Sequence, residues 1–359
     1  MMLQTHEQIY VGINGFGRIG RLVLRAALSH PEVSVKLINN PSTTPEYAAY
    51  LFKYDSTHGR YAGSVSYDET SITVTPPPTD EGSRVSQKII FTREREPENI
   101  PWQSQGVDYV IDATGIFKEL ESAARHQNVR RIIVTAPSNT APMYVYGVNH
   151  NQYDPKKDFV VSNASCTTNC LAPLMKCLDD NFTIEDALMT TVHATTASQK
   201  TVDGTSSGGK DWRGGRSCQG NIIPSSTGAA KAVTKILPNL NGKITGMSIR
   251  VPTINISLID LTFRTRRDTS YEEIINTLEH HANTDLKGIL GVTHEALVSS
   301  DFISDPRSSI VDSLAGIELN KNFFKICSWY DNEFGYSSRV VDLLMHIART
   351  DVELKGSSA

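Results

Sequence analysis

Five cysteines in 359 residues, an odd number, are too few for a disulfide framework, so a reducing compartment is expected. Cys166 and Cys170 have three residues between them, and no pair of C-x-x-C turns is present to build a zinc site. No apolar run approaches the roughly 18 residues that a membrane span requires. Residues Met1 to Gln8 have neither a basic start nor a long apolar stretch, which sets the expectation of a cytoplasmic chain that is not exported. Lys355 to Ala359 read as a tail unlike the peroxisomal SKL signal. Net charge is also scarce at −4, so the chain has no long-range pull toward a phosphate backbone, and nucleic-acid binding is at most secondary.

What remains is ordinary globular composition, 39% apolar and 21% charged, in a chain longer than one core usually organises. Two domains are expected. Ile9 to Asn14 is short and β-rich, Arg18 to Leu28 carries Ile19, Leu22, Val23 and Ala26 at helical spacing, and Val33 to Asn40 is a second strand. That closes a βαβ unit of the usual ~30 residues. Tyr109 to Asp112 and Arg131 to Thr135 continue the alternation, which predicts an α/β, doubly wound, parallel-sheet domain. Residues 63 to 96 break it with alternating runs around Pro76-Pro77-Pro78, predicting an antiparallel excursion at the domain edge. After Cys166 a helix to about Leu178 precedes long strands at 187–192, 244–251 and 254–264, predicting an α+β domain with a mainly antiparallel sheet. The divisions are 1–165, completed by a C-terminal helix in 333–359, and 166–332. The loop 195–223 is too long for an ordinary connector, and segment 76–87 has no functional reading.

Gly15-Phe16-Gly17-Arg18-Ile19-Gly20 is a G-x-G-x-x-G between a strand and a helix. In that context the glycines allow a tight turn and close backbone approach, and the helix start offers N–H groups to a pyrophosphate, so dinucleotide binding is expected. About 20 residues on, where NAD-binding chains place a carboxylate for the adenosine ribose, this chain has Asn40. A ribose 2′-phosphate carries close to two charges, and each like-charge pair at ~5 Å and dielectric ~20 costs about 3 kcal/mol. Asparagine removes that repulsion. No arginine lies within the turn 39–44 to clamp a phosphate.

The octapeptide Ser162 to Asn169 sets Cys166 among hydroxyls and amides, a setting for a reactive thiolate rather than a packed thiol. His193 follows 27 positions later, at the end of an expected strand, as a candidate base. Cysteine and histidine alone would equally permit a cysteine hydrolase, which the dinucleotide turn argues against. A non-catalytic binding protein on the same fold is a further alternative, and Cys166→Ser would spare its binding.

Six segments together identify a family: Val11 to Arg21, Lys53 to Gly59, Ser162 to Asn169, Thr190 to Ala194, Ser225 to Lys231 and Ser328 to Ser337. From about Val11 to Ala348 the chain resembles phosphorylating glyceraldehyde-3-phosphate dehydrogenases. The resemblance implies that Cys166 attacks the aldehyde of a triose phosphate, that His193 serves as base and acid, and that inorganic phosphate cleaves the resulting thioester. It implies one anion site at Thr196 and Arg250, and another at Ser165, Thr167, Thr227 and Gly228. Arg250 lies in an apolar strand, so a ligand or carboxylate partner is expected for it. For the cofactor, NADP and/or NAD, the resemblance implies Arg18 and Ile19 at the pyrophosphate and Arg95 and Thr114 around the adenosine. It also implies Thr135 near the nicotinamide ribose, Asn332 at the carboxamide and Tyr336 beside the ring. A homotetramer is implied as well, with the loop 195–223 reaching toward a neighbour's cofactor.

Two departures concern the adenosine end. NAD-using members usually show Asp at the position of Asn40, and Pro at that of Thr205, where this chain also carries two extra residues within 206–209. Thr205 would present a hydroxyl to a 2′-phosphate, so relaxed or NADP-leaning cofactor choice is expected. The alternatives within the family are a strictly NAD-dependent glycolytic enzyme and an erythrose-4-phosphate dehydrogenase.

Overall fold

The computed structural model describes residues 8–78, 85–206 and 211–356, so the interior of the 76–87 segment, part of the loop 195–223 and the last three residues lie outside the described residues. The chain divides into two compact units. The first comprises the described parts of Met1–Tyr144 and Ser337–Ala359, with His150–Ala164. The second comprises Val145–Asn149 and the described part of Ser165–Tyr336.

The first unit contains β1 (Ile9–Asn14), α1 (Arg18–Ala27), β2 (Val33–Asn39), α2 (Pro45–Lys53), β3 (Ser64–Tyr67), β4 (Ser71–Thr75) and β5 (Gln87–Thr92). It continues with β6 (Tyr109–Asp112), the one-turn α3 (Leu120–Ala123), β7 (Arg131–Val134) and β8 (Val160–Ser162). Among the described residues these strands form one sheet in the order β3-β4-β5-β2-β1-β6-β7-β8. From β5 to β8 every pairing is parallel, and β3, β4 and β5 pair antiparallel. The excursion expected at the edge is therefore partly internal, because β5 leaves the hairpin and adds to β2 in parallel. Val11, Ile13, Leu37, Val110 and Ile132 are fully buried, as a parallel sheet covered on both faces demands. The helix expected between β6 and β7 is only one turn, because Gly115 at φ 69° and the bends around it keep the chain irregular to Glu119.

The second unit holds α4 (Cys166–Phe182), β9 (Ile184–His193), β10 (Ile223–Ser226), α5 (Ala229–Ile236), β11 (Ile244–Arg250) and β12 (Ser257–Thr265). It is completed by α6 (Tyr271–Asn283), β13 (Leu290–Thr293), β14 (Ser309–Asn320) and β15 (Phe323–Tyr330). The sheet order is β10-β11-β9-β12-β15-β14-β13. It is mainly antiparallel, with parallel pairs at β9/β11 and β13/β14. The helix α4 runs a full turn beyond the expected Leu178, to Phe182, where Thr183 at φ 57° ends it. The last helix, α7 (Phe334–Gly356), carries the chain back into the first unit.

Candidate active site

Three glycines of the β1–α1 turn have three different reasons to be glycine. Gly15 adopts φ 91°, and a Cβ there would press to 2.9 Å from the backbone of Ala113 and Thr114 at the end of β6. A Cβ at Gly20 would sit 2.0 Å from the Gly15 carbonyl, so α1 packs against its own entry turn. At Gly17 a Cβ would meet nothing within 4 Å. Gly17 is also the N-cap of α1, with no side-chain cap and no acidic residue in the first turn. The helix start is thus an open, uncapped cradle, which fits a pyrophosphate. Arg18 beside it pairs with Asp55 at 2.6 Å. Burial alone would raise the Asp55 carboxyl, but the N–H groups of His58 and Thr57 and the Arg18 guanidinium hold it down to about 2. Ile19 is half-buried, whereas the Phe16 ring packs between Phe52 and Phe91 in the core, so its ring is not a cofactor contact.

The strand ends around this turn carry the other expected cofactor residues. Asn40 follows β2, Thr114 follows β6, Thr135 follows β7 and the exposed Arg95 follows β5. The order β2-β1-β6 reverses the winding at β1, the place where open parallel sheets bind ligands. Sequence reading missed the residue that organises this edge. Asp112, buried at the end of β6, accepts from the Asn14 amide at 2.8 Å and from the Thr114 N–H and hydroxyl at 3.0 and 2.6 Å. Its other partner is His126, Nε2 to Oδ2 at 3.0 Å. Trp102 Nε1 donates to His126 Nδ1 at 3.2 Å, which leaves the proton on Nε2, directed at Asp112. An Asp in a β-strand without nearby positive charge in sequence was the available signal.

In the second unit, Ser165 caps α4: its hydroxyl accepts from the Thr168 N–H at 3.0 Å. Cys166 is the first helical residue, and Ala164 just before it adopts φ 55°, a conformation uncommon outside glycine that turns the chain sharply into the helix. His193 ends β9, and its Nε2 lies 3.5 Å from Cys166 Sγ. The parallel register of β9 and β11 sets Arg250 directly across from His193. Arg250 Nη1 donates to His193 Nδ1 at 2.7 Å and to the Ala194 carbonyl at 3.3 Å. Of the two expected partners, a carboxylate is not found: Arg250 meets these two acceptors instead and forms no ion pair among the described residues.

His193 Nδ1 is also 2.7 Å from the Ala194 carbonyl oxygen. It cannot accept from Arg250 and donate to Ala194 at once, so Arg250 selects the tautomer. While Arg250 donates, the proton sits on Nε2 facing sulfur; once Arg250 is drawn away, Nδ1–H can donate to Ala194 and Nε2 is free to take the thiol proton. The electrostatics agree. Burial and then the Arg250 charge hold His193 down to about 4, and burial pushes the Cys166 thiol up against the opposing pull of Arg250. In this arrangement the pair is a neutral thiol and a neutral imidazole.

Two further residues escaped the sequence reading. Tyr330, 1% exposed at the end of β15, joins the hydroxyls of Thr167 at 2.9 Å and Thr191 at 2.8 Å, tying the first turn of α4 to β9. Ser257 donates to the Asn332 carboxamide oxygen at 2.8 Å and accepts from the Ala194 N–H at 3.0 Å. It follows Ile256 at φ 67°, strained for a β-branched residue and held by burial against Phe302 and Ile310. Asn332 and Tyr336 are buried, and Thr205 is exposed. Thr196 contacts Ser198 and Gln199, while Thr227 caps the backbone at Ala229, with Gly228 open beside it. A cavity of about 240 Å³ opens at Arg250 and includes Arg216, Ser198 and Ser225. A larger one of about 450 Å³ lies along α6, lined by Ser270, Glu273, Thr277 and His281, with no cysteine among its lining residues.

Fold and site together define a two-domain α/β oxidoreductase of the nicotinamide-dinucleotide class. Residues 9–120 match the family model "Glyceraldehyde 3-phosphate dehydrogenase, NAD binding domain" and residues 165–332 match "Glyceraldehyde 3-phosphate dehydrogenase, C-terminal domain". A glyceraldehyde-3-phosphate dehydrogenase of Wickerhamomyces ciferrii is 56% identical over 342 residues, covering 95% of this chain and 98% of the relative. Glyceraldehyde-3-phosphate dehydrogenase 3 of Saccharomyces cerevisiae is 56% identical over 343 residues, covering 95% and 99%. The chain belongs to the glyceraldehyde 3-phosphate dehydrogenase family. Its cofactor is NAD or NADP. Among the described residues no helix is long and apolar enough to cross a membrane.

Proposed function

We propose that this protein oxidises glyceraldehyde 3-phosphate with inorganic phosphate and NAD(P)+ to 1,3-bisphosphoglycerate, accepting NADP+ as well as NAD+. The observation that carries the reading is the Cys166–His193–Arg250 constellation, a nucleophile, a base and an anion-binding charge on three adjoining elements. Cys166 sulfur attacks the aldehyde carbon as its proton passes to His193, which returns it to the carbonyl oxygen, giving a thiohemiacetal and a neutral imidazole. His193 then withdraws the hydroxyl proton as the carbon loses hydride, leaving a thioester. The bound nicotinamide supplies the hydride acceptor. Phosphate attacks the acyl carbon and expels the thiolate.

Arg250, Thr196, Ser165, Thr167, Thr227 and Gly228 are the residues for the two phosphates. An anion that recruits Arg250 removes a donor from His193 Nδ1 and raises the basicity of the imidazole, so substrate binding and base activation are coupled. A free thiol with pKa about 8.5 is only a few per cent ionised at neutral pH, which makes that coupling consequential. We assign the dinucleotide to 1–165 with 333–359, and the chemistry to 166–332. The exposed Tyr47 and Tyr50 on α2, Tyr54 just after it, and Leu188 and Met247 on the sheet of the second unit favour a homotetramer. Light scattering giving a monomer mass would remove that part.

The test is a steady-state assay with both cofactors, with and without phosphate. Turnover of triose phosphate that requires phosphate and vanishes in Cys166→Ser is expected; a rate indifferent to phosphate would favour the erythrose 4-phosphate alternative. The strictly NAD-dependent reading fits the family match equally well, and a kcat/KM for NADP+ more than about a thousandfold below that for NAD+ would establish it.

A further inference from the structure

The turn after β2 has no arginine of its own, but the sheet brings one to it. Asn39 on β2 pairs with Thr92 on β5, so Asn40 and Arg93 leave the sheet side by side. The Asn40 N–H donates to the Thr92 carbonyl at 3.0 Å. Arg93 reaches across to the Pro41 carbonyl through Nε and Nη2, both at 3.4 Å. Those two long contacts use little of a guanidinium that has five donors. Arg93 is exposed and forms no ion pair among the described residues. Nearby acids are engaged elsewhere: Glu96 pairs with Arg125 and Glu46 accepts from the Tyr67 hydroxyl. Glu94, between Arg93 and Arg95, is exposed, and its main chain is clamped to the buried Asn39 amide in both directions, which steadies the strand end that carries Arg93.

We propose that Arg93 is the specificity-determining residue for a phosphate on the 2′ position of the cofactor's adenosine ribose. A carboxylate at position 40 would pair with this guanidinium and repel such a phosphate. Asn40 does neither: its amide donates to the Thr43 hydroxyl at 2.6 Å, and the arginine charge is left for a ligand. A planar fork on a dianion is the bidentate geometry that arginine recognises best. The inference rests on the NADP-accepting reading and adds the residue that makes it possible.

Calorimetric titration of the intact protein with 2′,5′-ADP and with 5′-AMP tests it without turnover. Arg93→Gln is expected to weaken 2′,5′-ADP roughly 10- to 100-fold while leaving 5′-AMP within about twofold, and Arg93→Lys to fall between. Arg95→Gln should weaken both fragments together. Equal losses for both fragments in Arg93→Gln, or no loss for either, would overturn the assignment of Arg93 while leaving NADP use intact. If the wild-type protein binds 2′,5′-ADP no better than 5′-AMP, the NADP-accepting reading fails with it. The side chain is exposed, so an unchanged thermal midpoint accompanies a valid result.

Discussion

Tyr330 joins two threonine hydroxyls while almost fully buried, and that makes it the residue whose loss is easiest to interpret. Phenylalanine fits the same volume but leaves Thr167 and Thr191 without their partner. Tyr330→Phe should lower the unfolding free energy by about 1–3 kcal/mol, measured by urea denaturation. Because Thr167 follows the nucleophile, alkylation of Cys166 by iodoacetamide should change in the same variant. A variant as stable as wild type with unaltered alkylation would show that the bridge has no mechanical role. Cys166 was legible in sequence because a thiol among Ser, Thr and Asn is out of place in a core. Tyr330 was not, since a tyrosine in a strand reads as packing until its hydroxyl partners, 163 and 139 residues away, are known.

At the scale of the element, the β1–α1 turn separates space for folding from space for a ligand. Gly17→Ala should fold and melt like wild type yet bind NAD+ and NADP+ more weakly, because the new methyl enters the open cradle without touching protein. Gly20→Ala should lose several degrees in Tm, because its methyl would have to displace the Gly15 carbonyl. If both variants lose stability alike, the cradle is not open. The strand–turn–helix pattern was readable because a glycine triplet after a buried strand has few other uses. The parallel docking of β5 on β2, which delivers Arg93, was not, since an alternating run specifies strand but leaves its neighbours unspecified.

At the scale of the whole molecule, α7 returns the chain to the first sheet, where Asp351 is buried with Arg131 at 2.8 Å and the Tyr153 hydroxyl at 2.8 Å. Asp351→Ala strands the guanidinium and should cost about 3–5 kcal/mol of unfolding free energy. Equilibrium denaturation checks it; a loss under about 1 kcal/mol would mean that Arg131 finds water instead. Protons provide the second test. Burial and the neighbouring His346 hold His150 down to about 4, and His193 lies there too, against an ordinary 6.5. The unfolded chain therefore binds protons below pH 6.5 that the folded chain refuses until about pH 4. Stability should be full above that window and fall as pH drops through it, with a shallower fall in His150→Gln. A urea midpoint equal at pH 7.5 and 5, both set within or above the window, would contradict the sign.

Local chemistry was written along the chain: the periodicities that set strand and helix, the glycines of the cradle, the exposed-type setting of Cys166 and the missing carboxylate at Asn40 all depend on near neighbours. Pairings between distant segments were decided only in three dimensions. His193 meets Arg250 because two strands align in register, Asp112 gathers Asn14 and His126 because their elements end at one edge, and Arg93 meets the 40–44 turn across β2 and β5. Side-chain period and turn preference are properties of a few consecutive residues, whereas register is fixed by burying whole faces together, and no short stretch contains that information.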